Sequence, residues 1–255
     1  MKQGFSITTI GIRGLWDCNY PKFRMENHFS FLSWNLALLN RSAHAPQHWE
    51  LCDTEEVVRE QVIELSPDIV LFQELPGLVP YIETHNMIRA NPQSHSGHLA
   101  ILISHRLSEF DVTLTPLEGF GLSVTFMEVG LTVANIHLAP GQGNTELRKS
   151  QLAAVIDSSP TERIAIIGDT NTRASEITKI KDSGLEVPDL PGSTWDSFRN
   201  RFNADGPRFK ASFTRCITHP DVKIRDLKSL EGKVIRNEKS FHISDHFALF
   251  GRMRL

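Results

Sequence analysis

The sequence predicts a mixed α/β domain, a sheet system containing parallel and antiparallel strands with a few helices packed outside it. Three observations predict it. Continuous apolar runs at residues 69–72 and 163–167 read as strands buried on both faces. A series of strands with no helix between them fills residues 99–138, and Gly130 in the tight connection between the last two suggests a hairpin. Helical patterns are few, so a purely parallel doubly wound sheet fits less well than mixed sheets flanked by helices.

The elements follow in order. Residues 1–28 carry Gly and Pro punctuation and no sustained period, so they read as an amino-terminal extension packed on a single domain spanning 29–255. Residues 29–36 read as a strand, with Phe29 and Phe31 alternating against Ser30 and Asn35. A loop rich in His, Pro and Gln follows. A helix is expected over 53–65, with Asp53 as its N-cap and Glu56 completing a capping box. Val58, Val62 and Leu65 form its apolar stripe, and Pro67 stops it. Residues 68–72 form a buried strand ending in Gln73-Glu74. Further strands are read at 99–104, 110–114, 122–129 and 131–138. Asn144 is expected to cap a helix whose Leu147, Leu152, Val155 and Ile156 face the core. The strand at 163–167 ends in Gly168-Asp169. Residues 172–207, with Pro188, Pro191, Gly192, Gly206 and Pro207, read as loop and turn. Strands at 209–217 and 246–253 close the chain.

The bulk properties narrow the function. The chain has 255 residues, 40% of them hydrophobic, enough for one large core. No apolar stretch approaches the roughly 20 residues that span a bilayer, so no membrane association is expected. The amino terminus lacks the basic start and apolar stretch of a secretory signal. Cys18, Cys52 and Cys216 are scattered and show no metal-ligand spacing, which points to a reducing cytoplasmic or nuclear setting. The net charge of −3 favours a local phosphate-binding pocket, for a nucleic-acid end or a small substrate, over the wrapping of a duplex. A basic patch remains compatible with that balance.

Five short polar motifs stand where hydrophobic runs stop: Ser33-Trp34-Asn35, Gln73-Glu74, Asn135-Ile136-His137-Leu138, Gly168-Asp169-Thr170-Asn171 and Ser244-Asp245-His246. Together they supply what is needed to hold one hard divalent cation, activate a water and stabilise a pentavalent phosphate. Glu74 leaves a buried run and is the leading Mg²⁺ ligand, although a Glu there can also simply start a turn. Asp169 can orient or deprotonate water and Asn171 can donate to a phosphoryl oxygen, although both also favour Asx turns. His137 can neutralise developing charge or serve a structural role. Asn35 can orient a metal-bound carboxylate or bond backbone. Asp245 and His246 reach one site only if the chain turns there.

These motifs resemble those of the endonuclease/exonuclease/phosphatase superfamily over about residues 29–255. The resemblance is closest to its 5′-tyrosyl-DNA phosphodiesterase branch. It is carried by the strings above, by Arg148 and Gln151-Leu152 after His137, by Thr172-Arg173, by Ser193-Thr194-Trp195-Asp196 and by Arg208-Phe209. It implies a four-layer α/β/β/α sandwich: two mixed β-sheets packed face to face, helices outside, and the site at one end. It further implies that Glu74 holds Mg²⁺ (or Mn²⁺) with Asn35 nearby and that Asp169 orients the water. Asn171 would contact the scissile phosphate, His137 and His246 would stabilise the phosphorane, and Asp245 would support metal or His. Arg173 resembles a residue that positions substrate, and Trp195 and Phe209 resemble a wall for a terminal nucleotide, with core packing as the alternative. The expected partner is a nucleic acid, at ends or single-stranded termini, and the protein is expected to be a monomer.

The chain departs from the pattern at one place. Family members usually carry an Asp after the Arg-Phe pair, bonded to the final His, whereas Lys210 follows Arg208-Phe209 here. Either Asp205 or Asp221 replaces that acid, or the register shifts locally, or His246 works less efficiently. The expected activity is a Mg²⁺-dependent phosphodiesterase acting on a nucleic-acid end or 5′ adduct. The alternatives are an endonuclease or small-phosphoester phosphatase of the same fold, or a catalytically silent phosphate-binding module.

Overall fold

The computed structural model describes residues 8–10, 28–37, 50–76, 80–89, 97–197, 208–236 and 239–255. Two six-stranded mixed sheets form its centre. The first contains β1 (Thr8–Ile10), β6 (Val112–Leu117), β7 (Gly121–Phe126), β8 (Leu131–His137), β9 (Arg163–Asp169) and β12 (Thr214–Thr218), in that spatial order. The second runs β13 (Lys223–Leu230), β16 (Ala248–Arg254), β2 (His28–Asn35), β3 (Ile69–Leu75), β5 (His98–Ser104) and β4 (His85–Arg89). Each sheet has one parallel pair, β8 with β9 and β2 with β3; the other pairings are antiparallel. The two parallel pairs matter for the site, because their carboxyl ends all point the same way.

Alternation along the strands separates three apolar layers. Phe31, Ile69, Leu71, Ile101, Val124, Val133, Ile167 and Leu249 meet between the sheets. Trp34, Val70, Phe72 and Leu102 face outward from the second sheet and pack under Val58 and Val62 of α1 (Leu51–Leu65). Ala134, Ile136, Ile164 and Ile166 face outward from the first sheet, under Leu152 and Val155 of α2 (Thr145–Ser158) and Ile177 and Ile180 of α3 (Ala174–Asp182). The result is the α/β/β/α sandwich. No helix among the described residues is long and apolar enough to cross a membrane.

Several local expectations are corrected. The first helix begins earlier: Glu50 is its N-cap and Asp53 sits at N3, accepting from the Glu50 N–H at 2.7 Å. Asp53 therefore closes the capping box from the opposite side. On α2, Leu152 and Val155 are buried, but Leu147 and Ile156 lie 50% and 40% exposed. The interval 172–207 contains α3 and the short strand β10 (Trp195–Asp196), so it is not only loop. The expected strand at 209–217 is two, β11 (Lys210–Ala211) and β12. The edge strands β4 and β13 and the hairpin of β14 (Lys233–Arg236) and β15 (Lys239–His242) went unread in the sequence. Cys52 is exposed and Cys216 buried, both as free thiols; Cys18 lies outside the described residues.

Candidate active site

Strand ends build the site. β2, β3, β8 and β9 finish in Asn35, Glu74-Leu75, His137 and Asp169, so four polar side chains emerge at one edge of the sandwich. The backbone is specialised there. Glu74 and Asn171 both take positive φ, each +50°, which costs a non-glycine residue about 1–3 kcal/mol and persists where surrounding contacts enforce it. Gly168, at φ +150°, runs so close to β8 that a Cβ would collide with the Ile136 carbonyl. Glycine is therefore required immediately before Asp169.

The carboxylates converge on one amide. Asn35 Nδ2 donates to Glu74 Oε1 at 2.9 Å and to Asp169 Oδ2 at 3.0 Å. Its Oδ1 accepts from the Ala37 N–H, and Ser244 Oγ donates to its main-chain oxygen. His137 Nε2 lies 3.6 Å from Glu74 Oε1 and 3.7 Å from Asp169 Oδ2, and His246 Nε2 lies 3.7 Å from the same Asp169 oxygen. Asp169 Oδ1 accepts from the Asn171 N–H, and Asn171 Nδ2 donates to the Leu138 carbonyl. Two carboxylates this close repel one another unless a cation lies between or beside them. Glu74, His137 and Asp169 each offer a ligand atom within 4.8 Å of the others. The two carboxylates suit a hard divalent cation, and the imidazole would be a ligand only for a softer one.

Asp245 is placed differently from the other predicted residues. The chain bends there, but its Oδ2 accepts from Trp195 Nε1 at 2.9 Å, and none of its described contacts reaches the Glu74–Asp169 pair. Trp195 is itself buried, with Phe209 at a ring distance of 4.8 Å and Phe213 at 5.6 Å. Phe209, 45% exposed, is the open face of this cluster. Arg173 stacks over Phe213 at 4.7 Å and donates to the Asn171 carbonyl. Burial, then the charge of Arg148, lowers its pKa.

Lys210 has a partner of its own, other than the final His. Lys210 lies opposite Asp196 in the two-stranded ladder, with Nζ 3.4 Å from its carboxylate. The strand that reaches Asp169 is β12, where Thr214 is its direct partner. Thr214 is not an acid, so the strand beside Asp169 supplies no replacement carboxylate at that position. His246 Nδ1 and the Thr214 hydroxyl are both buried and have no hydrogen-bond partner among the described residues. Asp221 sits instead beside His219, and Asp205 lies outside the described residues.

Arg148, read in sequence only as part of a motif, has a structural role. Arg148 is fully buried; it grips Glu176 through Nε (2.9 Å) and Nη2 (2.7 Å) and donates through Nη1 to the carbonyls of Ala139 and Gly141. It ties the segment after His137 to the start of α3, which follows Asn171 and Arg173. Its only signal in the sequence is an Arg in a helix turn whose neighbours face the core. Gln73 and Asn135 form a second hidden link: Gln73 Nε2 donates to Asn135 Oδ1, and Asn135 Nδ2 donates to the Phe72 and Ala100 carbonyls, pinning the sheets together beneath the site.

No family model matches the chain. Its sequence is 26% identical over 200 residues to the tyrosyl-DNA phosphodiesterase 2 of Xenopus tropicalis, covering 69% of this chain and 52% of that protein. The chain thus spans about half the length of the curated relatives it matches. Among solved structures, D. rerio TDP2 complexed with a single-stranded DNA product superimposes with a TM-score of 0.65 at 18% identity, covering 89% of this chain and 99% of that one. An endonuclease/exonuclease/phosphatase protein from Beutenbergia cavernae does so at 0.61 and 15%, covering 90% and 72%. The chain has the fold of the endonuclease/exonuclease/phosphatase superfamily and, within it, is similar in sequence and architecture to the tyrosyl-DNA phosphodiesterase 2 proteins.

Proposed function

We propose that the protein is a metal-dependent phosphodiesterase that hydrolyses a phosphodiester at a nucleic-acid end or 5′ adduct, acting as a monomer in a reducing compartment. The observation that carries the reading is the convergence of Glu74, Asp169, His137 and His246 around one point, at separations of 3.6–3.7 Å. Similarity to a tyrosyl-DNA phosphodiesterase and to a relative solved with a single-stranded DNA product supports the choice of nucleic acid.

Each residue then has a task. Glu74 holds the ion, with Asn35 fixing its carboxylate and that of Asp169. Mg²⁺ or Mn²⁺, when bound, neutralises phosphoryl charge and eases water deprotonation. Asp169, restrained on both oxygens, aims a water in line with the phosphorus and takes its proton. As the new P–O bond forms and the bond to the leaving oxygen breaks, His137 and His246 stabilise the equatorial charge. Asn171 donates to a phosphoryl oxygen. Arg173 positions the substrate through the Asn171 backbone it holds, and Phe209 with Trp195 offers a face for a terminal base. Asp245 supports the site through Trp195.

The test is turnover of bis-p-nitrophenyl phosphate with Mg²⁺, Mn²⁺ and excess EDTA, followed by a panel of 5′-tyrosyl, 5′-phosphate, abasic and inositol phosphate substrates. Chelator-sensitive turnover with preference for a nucleic-acid 5′ adduct supports the reading. Metal-independent or absent turnover overturns it, and preference for inositol phosphates moves the substrate class.

A further inference from the structure

A second charged surface lies well away from the catalytic end. In the ladder of β13 with β16, Lys223 stands opposite Arg254 and Arg225 opposite Arg252. Met253 belongs to the core between the sheets and Ile224 packs against it. Alternation therefore sends the four cations to the outer face, where all are exposed. Directly opposed like charges destabilise a sheet. The neutralisation is partial: Arg252 bonds Asp226 at 3.0 Å and Lys223 pairs with Glu186, while Arg225 and Arg254 have no ion pair or hydrogen bond among the described residues. The chain as a whole carries a net charge of −3, so this concentration of cations is not a consequence of composition.

We propose that this face of β13 and β16 binds the phosphate backbone of a nucleic acid. The surface is part of an open sheet, suited to an extended polyanion and not to a small anion held in a pocket. A membrane surface fits less well, because no large apolar side chain of β13 or β16 is exposed to enter a bilayer. From His246 to Arg252 is six residues, most of them in β16, a span of at most about 20 Å at about 3.3 Å per residue. A nucleic acid held at both places therefore extends on the order of six base pairs beyond the catalytic end. Nucleic acid as the partner rests on the phosphodiesterase reading; the surface itself does not.

The test is fluorescence anisotropy of the whole protein, in EDTA to prevent turnover, with a labelled 20-base-pair duplex and with a 4-nucleotide strand. Arg225→Glu combined with Arg254→Glu is expected to weaken duplex binding about tenfold or more at low salt. The slope of log affinity against log salt should become shallower by about 1 per lost phosphate contact. Binding of the 4-nucleotide strand and turnover of bis-p-nitrophenyl phosphate with metal should stay unchanged, and circular dichroism of the variant reports that it folds. Charge-sensitive duplex binding supports the surface even if no phosphodiester is hydrolysed, which separates the two readings. Equal duplex affinity in wild type and the folded variant overturns it, as does wild-type binding to phosphatidylserine vesicles without binding to duplex. If the double variant does not fold, the same comparison is made with Arg225→Gln alone, where unchanged duplex affinity again overturns the proposal.

Discussion

Glu74 and Asp169 accept hydrogen bonds from the same nitrogen, Nδ2 of Asn35, at 2.9 and 3.0 Å. One neutral carboxamide thus sets the spacing of two carboxylates delivered by different sheets. Asn35→Ala should remove the restraint the two groups share, leaving Asp169 only its bond from the Asn171 N–H, with turnover falling by about 10²-fold, within the usual range for loss of a positioned catalytic contact. Asn35→Asp would place a third carboxylate beside the pair and should destabilise the metal-free protein, weaken turnover and make heat stability depend more strongly on added metal. Steady-state kinetics and metal-dependent melting check both.

Gly168 offers a stability prediction independent of chemistry. Any side chain there meets the β8 backbone at Ile136, and φ of +150° is unfavourable for L residues. Gly168→Ala should destabilise the fold by about 3 kcal/mol or more, in the range of large backbone and overpacking effects. Urea unfolding reads it, and an unchanged midpoint contradicts the described approach of β8 to β9.

Arg148 and Glu176 form a buried pair. Burial would raise the Glu176 pKa, but the Arg148 guanidinium, the Arg173 N–H and the Thr145 hydroxyl together outweigh this and leave it below the ordinary carboxylate value. Removing one partner of such a pair costs about 3–5 kcal/mol. Arg148→Ala should show a loss of this size in urea unfolding. Arg148→Lys should recover only part of it, because a lysine lacks the two-pronged geometry. The stabilisation is present above the ordinary Glu pKa of 4.5 and is lost as pH falls through the lowered folded value.

His85 gives a second acid-dependent loss at higher pH. Its ring nitrogens sit 2.8 Å from the Thr84 hydroxyl and from the Pro67 carbonyl, and burial lowers its pKa below 6.5. Between the lowered value and 6.5 the unfolded chain binds the proton more readily than the folded one. Stability contributed by neutral His85 should therefore be complete above 6.5 and decline as pH drops through that window. His85→Gln should flatten this decline and leave the later loss tied to Glu176, as read from unfolding midpoints between neutral and acidic pH.

Phe209 is the exposed member of the aromatic cluster beside the site. Phe209→Ala should weaken binding of a short single strand by about 1–3 kcal/mol, the value of one stacked base. Turnover of bis-p-nitrophenyl phosphate, which has no base to stack, should hold.

Much of this arrangement was legible in the sequence because strand ends announce themselves. An apolar run followed by Gln73-Glu74, or by Gly168-Asp169, fixes both the strand and the direction in which its last side chain emerges. What the sequence hid depended on tertiary partners. α3 is short and polar, and besides Ile177 and Ile180 it is held by Glu176 with Arg148 on another helix. β13 is an exposed edge strand whose alternation is blurred by a bulge between Arg225 and Lys228. Arg208-Phe209-Lys210 gives no sign in sequence that Lys210 pairs with Asp196, and only the pairing of Thr214 with Asp169 shows which strand runs beside that carboxylate.

Metal occupancy tests the central claim most directly. Titration of the protein with Mn²⁺, followed by calorimetry, should give one site per chain, lost or greatly weakened in Glu74→Ala. Turnover of bis-p-nitrophenyl phosphate should rise in step with occupancy and fall about 10²–10⁴-fold in Asp169→Asn. Turnover that persists in excess EDTA, or Mn²⁺ binding indifferent to Glu74, would contradict the account.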